Sequence, residues 1–279
     1  MPGSGSDEKI QVWKGSRDMK PLEIKHRVIG EGEPLICVPV VEQDTQSVIR
    51  EITYLSQSTA DMIEWRVDAF RDFTDYNAIR SVFEAVAPLL GEKLFLYTFR
   101  TAHQGGMAQV NAEQLNDLHD LAAESGCVDL VDLEFFEEDR PLHKIKRLRE
   151  MGVSVIASHH DFEQTPPPEV MKMLLEKMCA GGADIVKLAV MPQNYKDVLN
   201  LLDVTAQFKE ENPDTPVITM SMGALGGISR VCGETFGSCV TFGAHEKPSA
   251  PGQFAMKELR QMLDTIHASS QTPQDQQNR

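Results

Sequence analysis

Lys187 lies in the middle of an apolar run, Ala183-Asp184-Ile185-Val186-Lys187-Leu188-Ala189-Val190-Met191-Pro192, which has the length of a strand and closes on a proline. Alternation along a strand puts Ile185, Lys187 and Ala189 on one face and Val186, Leu188 and Val190 on the other. If both faces are buried, desolvation favours the neutral amine, and a neutral lysine amine attacks carbonyl carbon. The plainer reading is a lysine at a strand end, snorkelling to water or paired with a carboxylate. Taken alone, the run favours that plainer reading.

The other reactive side chains narrow the chemistry. Ser158 and Ser221 lack an elbow of the G-x-S-x-G kind, and no cysteine has a matched histidine. His159 and His160 are adjacent, so on a strand they point to opposite faces and only one can enter a site. No HExxH or carboxylate–histidine spacing accompanies them, so no metal site is expected. A buried lysine with one histidine suits imine chemistry, in which the amine condenses with a ketone and the imidazole moves protons. Arg66, Arg100 and Arg230 are candidates to grip a carboxylate or phosphate. Without a glycine-rich phosphate cradle, a small carboxylated ketone is the favoured substrate class.

The elements that must position these groups repeat in order. Apolar strands are expected over residues 35–40, 62–67, 94–99, 128–134, 153–158, the run around Lys187, 217–222 and 239–243. Amphipathic helices follow them over 46–56, 76–90, 112–125, 141–151, 168–179, 194–210, 227–236 and 253–267. Eight strand-then-helix units without an internal linker predict a single α/β domain, a (β/α)8 TIM barrel, over residues 12–268. Apolar segments at 22–25 and 28–29 predict a short N-terminal hairpin cap. Residues 1–11 and the Gln- and Asn-rich stretch 269–279 read as flexible ends. A doubly wound open sheet is the alternative, and it usually carries a Gly-rich turn after its first strand, which is missing after Val40. In a barrel, function sits at the C-terminal ends of the strands. Glu64, Arg66, Arg100, Asp132, Glu134, His160 and Lys187 all fall there, spread over five strands, which points to an active site.

Composition sets the outer bounds. A net charge of −15 argues against nucleic-acid binding through a general basic surface. The five cysteines are odd in number, scattered and free of CxxC spacing, as expected of reduced thiols in the cytoplasm. The N-terminal residues show no signal-peptide core and no run has membrane-spanning length, so a cytoplasmic protein without membrane contact is expected.

These residues carry a resemblance. Glu64-Trp65-Arg66-Val67-Asp68, Phe99-Arg100, Ser158-His159-His160-Asp161-Phe162 followed by Thr165-Pro166, and Lys187-Leu188-Ala189-Val190-Met191-Pro192 are similar to type I 3-dehydroquinate dehydratases. So are Thr219-Met220-Ser221-Met222, Ile228-Ser229-Arg230, Phe236-Gly237-Ser238 and Ser249-Ala250-Pro251-Gly252-Gln253, in the same order from about Val28 to His267. The resemblance implies a dimeric (β/α)8 barrel without metal or cofactor, which dehydrates 3-dehydroquinate to 3-dehydroshikimate in the shikimate route to aromatic amino acids. It implies that Lys187 forms an imine with the substrate ketone and that His160 removes the adjacent proton and protonates the leaving hydroxyl in a syn elimination. Arg230 corresponds to the clamp on the substrate carboxylate, and Glu64, Arg66 and Arg100 to contacts with ring hydroxyls. Ser249, Ala250 and Gln253 correspond to a loop that folds over the substrate. Met220 and Met222 correspond to pocket lining, and Asp132 to a supporting acid, while His159 is left as structural.

One position departs from the family's pattern. Where the family has a glutamate before Gly-Gly that hydrogen-bonds the histidine, this chain has Gln104 before Gly105-Gly106. An amide can hold the imidazole but cannot stabilise an imidazolium by charge, so a lower histidine pKa and weaker catalysis are expected. The glycine-rich Ala224-Leu225-Gly226-Gly227 suggests a looser loop. Two other functions compete: an impaired dehydratase-like sensor or regulator that binds 3-dehydroquinate, favoured by Gln104, and a class I aldolase, which accounts for Lys187 but not for the full motif set.

Overall fold

The computed structural model describes residues 21–270. The expected flexible segment 1–11, and the tail beyond Ser270, lie outside the described residues. A two-stranded antiparallel hairpin, β1 (Glu23–Ile24) and β2 (Arg27–Val28), precedes the barrel. Eight parallel strands follow: β3 (Leu35–Val40), β4 (Met62–Arg66), β5 (Leu94–Thr98), β6 (Leu130–Glu134), β7 (Ser154–Asp161), β8 (Ile185–Val190), β9 (Val217–Ser221) and β10 (Val240–Phe242). They pair in the order β10-β3-β4-β5-β6-β7-β8-β9. A bridge between Val217 and Ser238 joins the two outer strands at the seam, so the sheet closes nearly completely into a (β/α)8 barrel. The open-sheet alternative is thereby excluded.

Local sequence explains most helix limits. Asp44 caps α1 (Thr45–Ser56) and Asp75 caps α2 (Tyr76–Val86). Asn111 and Asn194 form capping boxes at α3 (Ala112–Glu124) and α6 (Tyr195–Glu211). Prolines open α4 (Pro141–Glu150) and α5 (Pro168–Ala180), where their missing N–H costs nothing. The second helix stops short of Leu90 because Pro88 turns the chain into a 3-10 segment, Ala87–Leu89. The seventh helix, expected over 227–236, is instead a 3-10 turn, Gly227–Arg230, and a single α-turn, α7 (Gly233–Phe236). The hydroxyl of Ser229 donates to Gly226 O at 2.7 Å and accepts from Ser221 N at 2.9 Å, which ties the first turn back onto β9. The last helix, α8 (Met256–Ser270), begins later than Gln253, whose side chain is engaged with Ser249, and it runs two residues into the stretch read as tail.

Two apolar layers support the site. Outward-facing strand residues such as Trp65, Tyr97, Val186 and Leu188 pack under the helices. Inward-facing Met62, Leu94, Leu130, Ile156, Ile185 and Ile218 fill the lower barrel. Two residues further along β4, β6, β7 and β8, and four further along β5, the inner face turns polar, with Glu64, Asp132, Ser158, Lys187 and Thr98, all buried. Register puts Ser158 beside both Glu134 and Lys187, and Thr98 beside Asp132. The change from apolar to charged over one two-residue step places the chemistry at the barrel's C-terminal mouth.

Candidate active site

Asp132, on β6, stands at the centre of the polar layer. Its Oδ2 accepts from Lys187 Nζ at 2.9 Å, and its Oδ1 accepts from Ser158 Oγ at 2.6 Å and pairs with Arg100 Nη2 at 2.7 Å. Arg100 also donates through Nη1 to Glu134 Oε1 at 2.8 Å and to Ser158 Oγ at 3.1 Å. Burial raises the Asp132 carboxyl, but the Arg100 and Lys187 cations outweigh it and hold it well below the usual carboxylate range. Burial likewise opposes the Arg100 charge, and Asp132 and Glu134 more than restore it. Two buried cations thus face two buried anions, the condition under which charges persist away from water.

Lys187 faces into the barrel, as alternation requires, and is buried. Asp132 supplies its counter-ion, the carboxylate pairing that the plainer reading of the run allowed. Its Nζ also sits 4.6 Å from the centroid of the Phe242 ring. Attack on a carbonyl therefore requires this amine first to give up a proton.

His160 is in β7, which runs past Ser158 to Asp161. Gln104 Oε1 accepts from the backbone N–H of His160 at 3.0 Å and lies 3.0 Å from its Nδ1. The backbone N–H can only donate, so the atom it meets is the amide oxygen, and that oxygen can only accept from the ring. Nδ1 accordingly carries the hydrogen, and Nε2 keeps its lone pair as a base. Burial, followed by the nearby Arg100 and Lys187 charges, pulls the imidazole pKa well below its ordinary value, while Asp132 opposes that pull. His159 points away and meets the edge of Phe136, with ring centroids 5.4 Å apart.

Lys187, His160, Gln104, Glu64, Arg66 and Arg100 border one pocket that opens to solvent, with about 460 Å³ of empty space including its mouth. Met220 and Met222 line it from β9 and its end, and Ser249, Ala250 and Gln253 from the loop after β10. That loop is held by Ser249 N donating to Gln253 Oε1 at 2.8 Å and by Gln253 Nε2 donating to Ser249 Oγ at 3.0 Å. Thr98 Oγ1 orients Glu64 from 2.8 Å. Asp132 lies beneath the wall, reaching the pocket through Lys187 and Arg100. Arg230 does not border the void. It is buried with Nη2 donating to Pro251 O at 2.9 Å, and its Nε and Nη1 have no partner among the described residues. A roomier cleft of about 750 Å³ beside Gly30 and Cys239 contains neither a histidine nor Lys187.

Some wall residues had no role assigned from the sequence. Phe242 follows from the two-residue period of β10, and Phe162 stacks at 6.3 Å and 18° on His160. Ser158, considered only as a nucleophile, instead bridges Asp132 and Arg100. At Gly226 a Cβ would overlap the Ser221 carbonyl, so glycine serves a close approach there. Among the described residues, no group of three or more His, Cys, Asp or Glu side chains is arranged to hold a metal ion, and no helix is long and apolar enough to cross a membrane.

Known proteins resemble this chain along most of its length. The family model for type I 3-dehydroquinase matches residues 36–270. A 3-dehydroquinate dehydratase of Syntrophotalea carbinolica is 41% identical over 250 residues, spanning 89% of this chain and 99% of that protein. One from Listeria welshimeri is 42% identical over the same shares. The crystal structure of the type I 3-dehydroquinate dehydratase of Clostridium difficile, with covalent modified comenic acid, is 39% identical and superposes with a TM-score of 0.86, covering 90% of this chain and 99% of that one.

Proposed function

Since the chain belongs to the type I 3-dehydroquinase family, whose members are hydro-lyases, we propose that it dehydrates 3-dehydroquinate to 3-dehydroshikimate through an imine on Lys187. The observation that carries this reading is the shared pocket wall: a buried lysine amine on β8 and, on the neighbouring strand, a histidine whose Nε2 is free to act as a base. A covalently modified ligand in the Clostridium difficile relative accords with a nucleophile in such a site.

His160 Nε2 takes a proton from Lys187, and the free amine attacks the substrate ketone. His160 returns that proton to the carbinolamine hydroxyl, which leaves as water to give the iminium. The iminium withdraws electrons from the adjacent carbon, which lowers the barrier to removing its proton. His160 takes that proton at Nε2. It returns it to the hydroxyl that leaves from the next carbon, so one base on one face gives a syn elimination. Hydrolysis of the product imine regenerates the amine. Asp132 compensates the iminium charge as it compensates the ammonium. The unmatched N–H groups of Arg230 are suited to the substrate carboxylate once it displaces the Pro251 carbonyl or joins it. Glu64, Arg66 and Arg100 present hydrogen-bonding groups to the ring hydroxyls, and Ser249, Ala250 and Gln253 cover the bound ring.

The same reading assigns the reaction to the shikimate route, in the cytoplasm, with the chain as a homodimer. All five cysteines are unbridged, in keeping with a reducing compartment. Adding 3-dehydroquinate and following the absorbance of the enone product tests turnover directly. Borohydride followed by mass spectrometry tests the imine. Turnover with a trapped adduct on Lys187 supports the proposal; binding without turnover points to the sensor reading, and no interaction with 3-dehydroquinate removes both.

A further inference from the structure

Asp68 lies outside the pocket wall, in the 3-10 turn Val67–Ala69 directly after β4, with its carboxylate fully buried. It accepts from four donors. Arg66 grips it in bidentate fashion, Nε to Oδ1 and Nη2 to Oδ2, both at 2.8 Å. The backbone N–H of Arg100 donates to Oδ1 at 3.2 Å, and that of Met107 to Oδ2 at 3.0 Å.

Arg100 and Met107 stand at the two ends of one loop. Between them the chain makes the 3-10 turn Ala102–Gln104, and a bridge between Thr101 and Ala108 closes its base. The last residue of this turn is Gln104, whose side-chain oxygen holds both the backbone and the ring of His160. One carboxylate therefore fixes the guanidinium of Arg66 on the pocket wall and pins both ends of the loop that aims Gln104. An acceptor-only group is needed here, because every atom that approaches it is an N–H.

We infer that Asp68 is a positioning residue, which sets Arg66 for substrate and, through the Arg100–Met107 loop, sets Gln104 against His160. This rests on the dehydratase reading above for its kinetic part, whereas its structural part stands on the loop alone. In Asp68→Asn the new amide NH2 meets an N–H where the loop or Arg66 needs an acceptor. The loop end and the arginine then lose their common anchor, while Lys187 and Asp132 keep theirs.

The test combines a measurement on the protein alone with kinetics. In Asp68→Asn, hydrogen exchange at the 105–107 amides should quicken at least tenfold, and the His160 ring nitrogens should leave the pure Nδ1–H pattern in 15N spectra. With 3-dehydroquinate, kcat should fall at least tenfold and KM rise severalfold, with borohydride still trapping the adduct on Lys187. Added to Gln104→Ala, the substitution should lower kcat little further, because both act on His160 through the same contact. Unchanged exchange and an unchanged His160 signal overturn the inference, and so do kcat losses that multiply in the double variant. If Asp68→Asn does not fold, Asp68→Glu, which keeps the charge but displaces it by a methylene, carries the same measurements. If the native chain fails to turn over 3-dehydroquinate, the dehydratase proposal falls, while exchange and the ring signal still decide the role of Asp68.

Discussion

A single atom, Oε1 of Gln104, accepts both the backbone N–H of His160 and the hydrogen on its Nδ1, each at 3.0 Å. This arrangement fixes the tautomer without adding charge. Gln104→Glu keeps the contact and places a carboxylate beside Nδ1–H, which stabilises the imidazolium. The base works as neutral imidazole, so the acid limb of the pH–rate profile follows the His160 pKa. In the native chain burial and the neighbouring cations set that pKa well below its ordinary value. The variant's acid limb should move to higher pH, and its turnover near neutrality should rise roughly three- to tenfold as the base strengthens. An unaltered profile would show that some other group governs His160.

Arg230 combines burial with two donors, Nε and Nη1, that lack partners among the described residues. Burial depresses its pKa to about 10. Each unmatched buried donor costs about 1–3 kcal/mol, a cost that a bound carboxylate would offset. Replacing the guanidinium by an apolar chain of similar reach removes that cost along with the bond to Pro251 O. Arg230→Met should therefore melt a few degrees higher than the native chain without ligand and raise the KM for 3-dehydroquinate at least a hundredfold. A lower melting temperature, or an unchanged KM, would contradict the assignment of Arg230 to the substrate carboxylate.

How far the site was legible depends on the range of the signal. The inward face of Lys187, and the rule that only one of His159 and His160 can enter the site, follow from the two-residue period, which needs no knowledge of the neighbouring strands, whereas the choice of His160 rests on the family resemblance. The eight repeats were legible because both faces of each strand are buried and give continuous apolar runs. The counter-ion of Lys187 was not, because Asp132 lies 55 residues away and only the shear of the sheet brings it to the amine. Ser158 gains its role from the register of β7 against β8, and Phe242 from the barrel closure that brings β10 close to Lys187. The seventh helix misled because the strand-then-helix alternation calls for one there, whereas 227–236 holds two glycines and three β-branched residues and Ser229 commits its hydroxyl to β9.

Gly252 lies between the pocket residues Ala250 and Gln253 and adopts φ +79°, a left-handed conformation. A Cβ there would run into the carbonyl of Gly223, whose own N–H donates to Pro251 O at 3.1 Å. Gly252→Ala adds left-handed strain of about 1–2 kcal/mol and a clash with backbone that cannot turn aside. The covering loop should then lift from the β9 end, carrying Ser249 and Gln253 with it. A fall in kcat/KM of about tenfold or more is expected, with the melting temperature within a few degrees of native, since the barrel core is untouched. Native kcat/KM in this variant would mean that the loop does not seat against bound substrate.

His119, on α3, is fully enclosed between the helices and the barrel, edge-on to Tyr97 at 6.3 Å, and neither ring nitrogen has a partner among the described residues. Burial, with the Lys144 charge adding to it, depresses its pKa to about 3. In the unfolded chain the same imidazole titrates near about 6.5. Between those values the unfolded state binds a proton that the folded state refuses, so the stabilising contribution is complete above about pH 6.5 and is lost progressively as pH falls toward about 3. The loss amounts to a few kcal/mol by the lower end of that window. His160, depressed for its own reasons, adds a loss of the same sign. His119→Leu keeps an apolar side chain of similar size in the gap and has nothing to protonate. The drop in melting temperature between pH 7.5 and pH 5 should therefore shrink by several degrees in the variant. An equal drop in both proteins would place the acid sensitivity elsewhere.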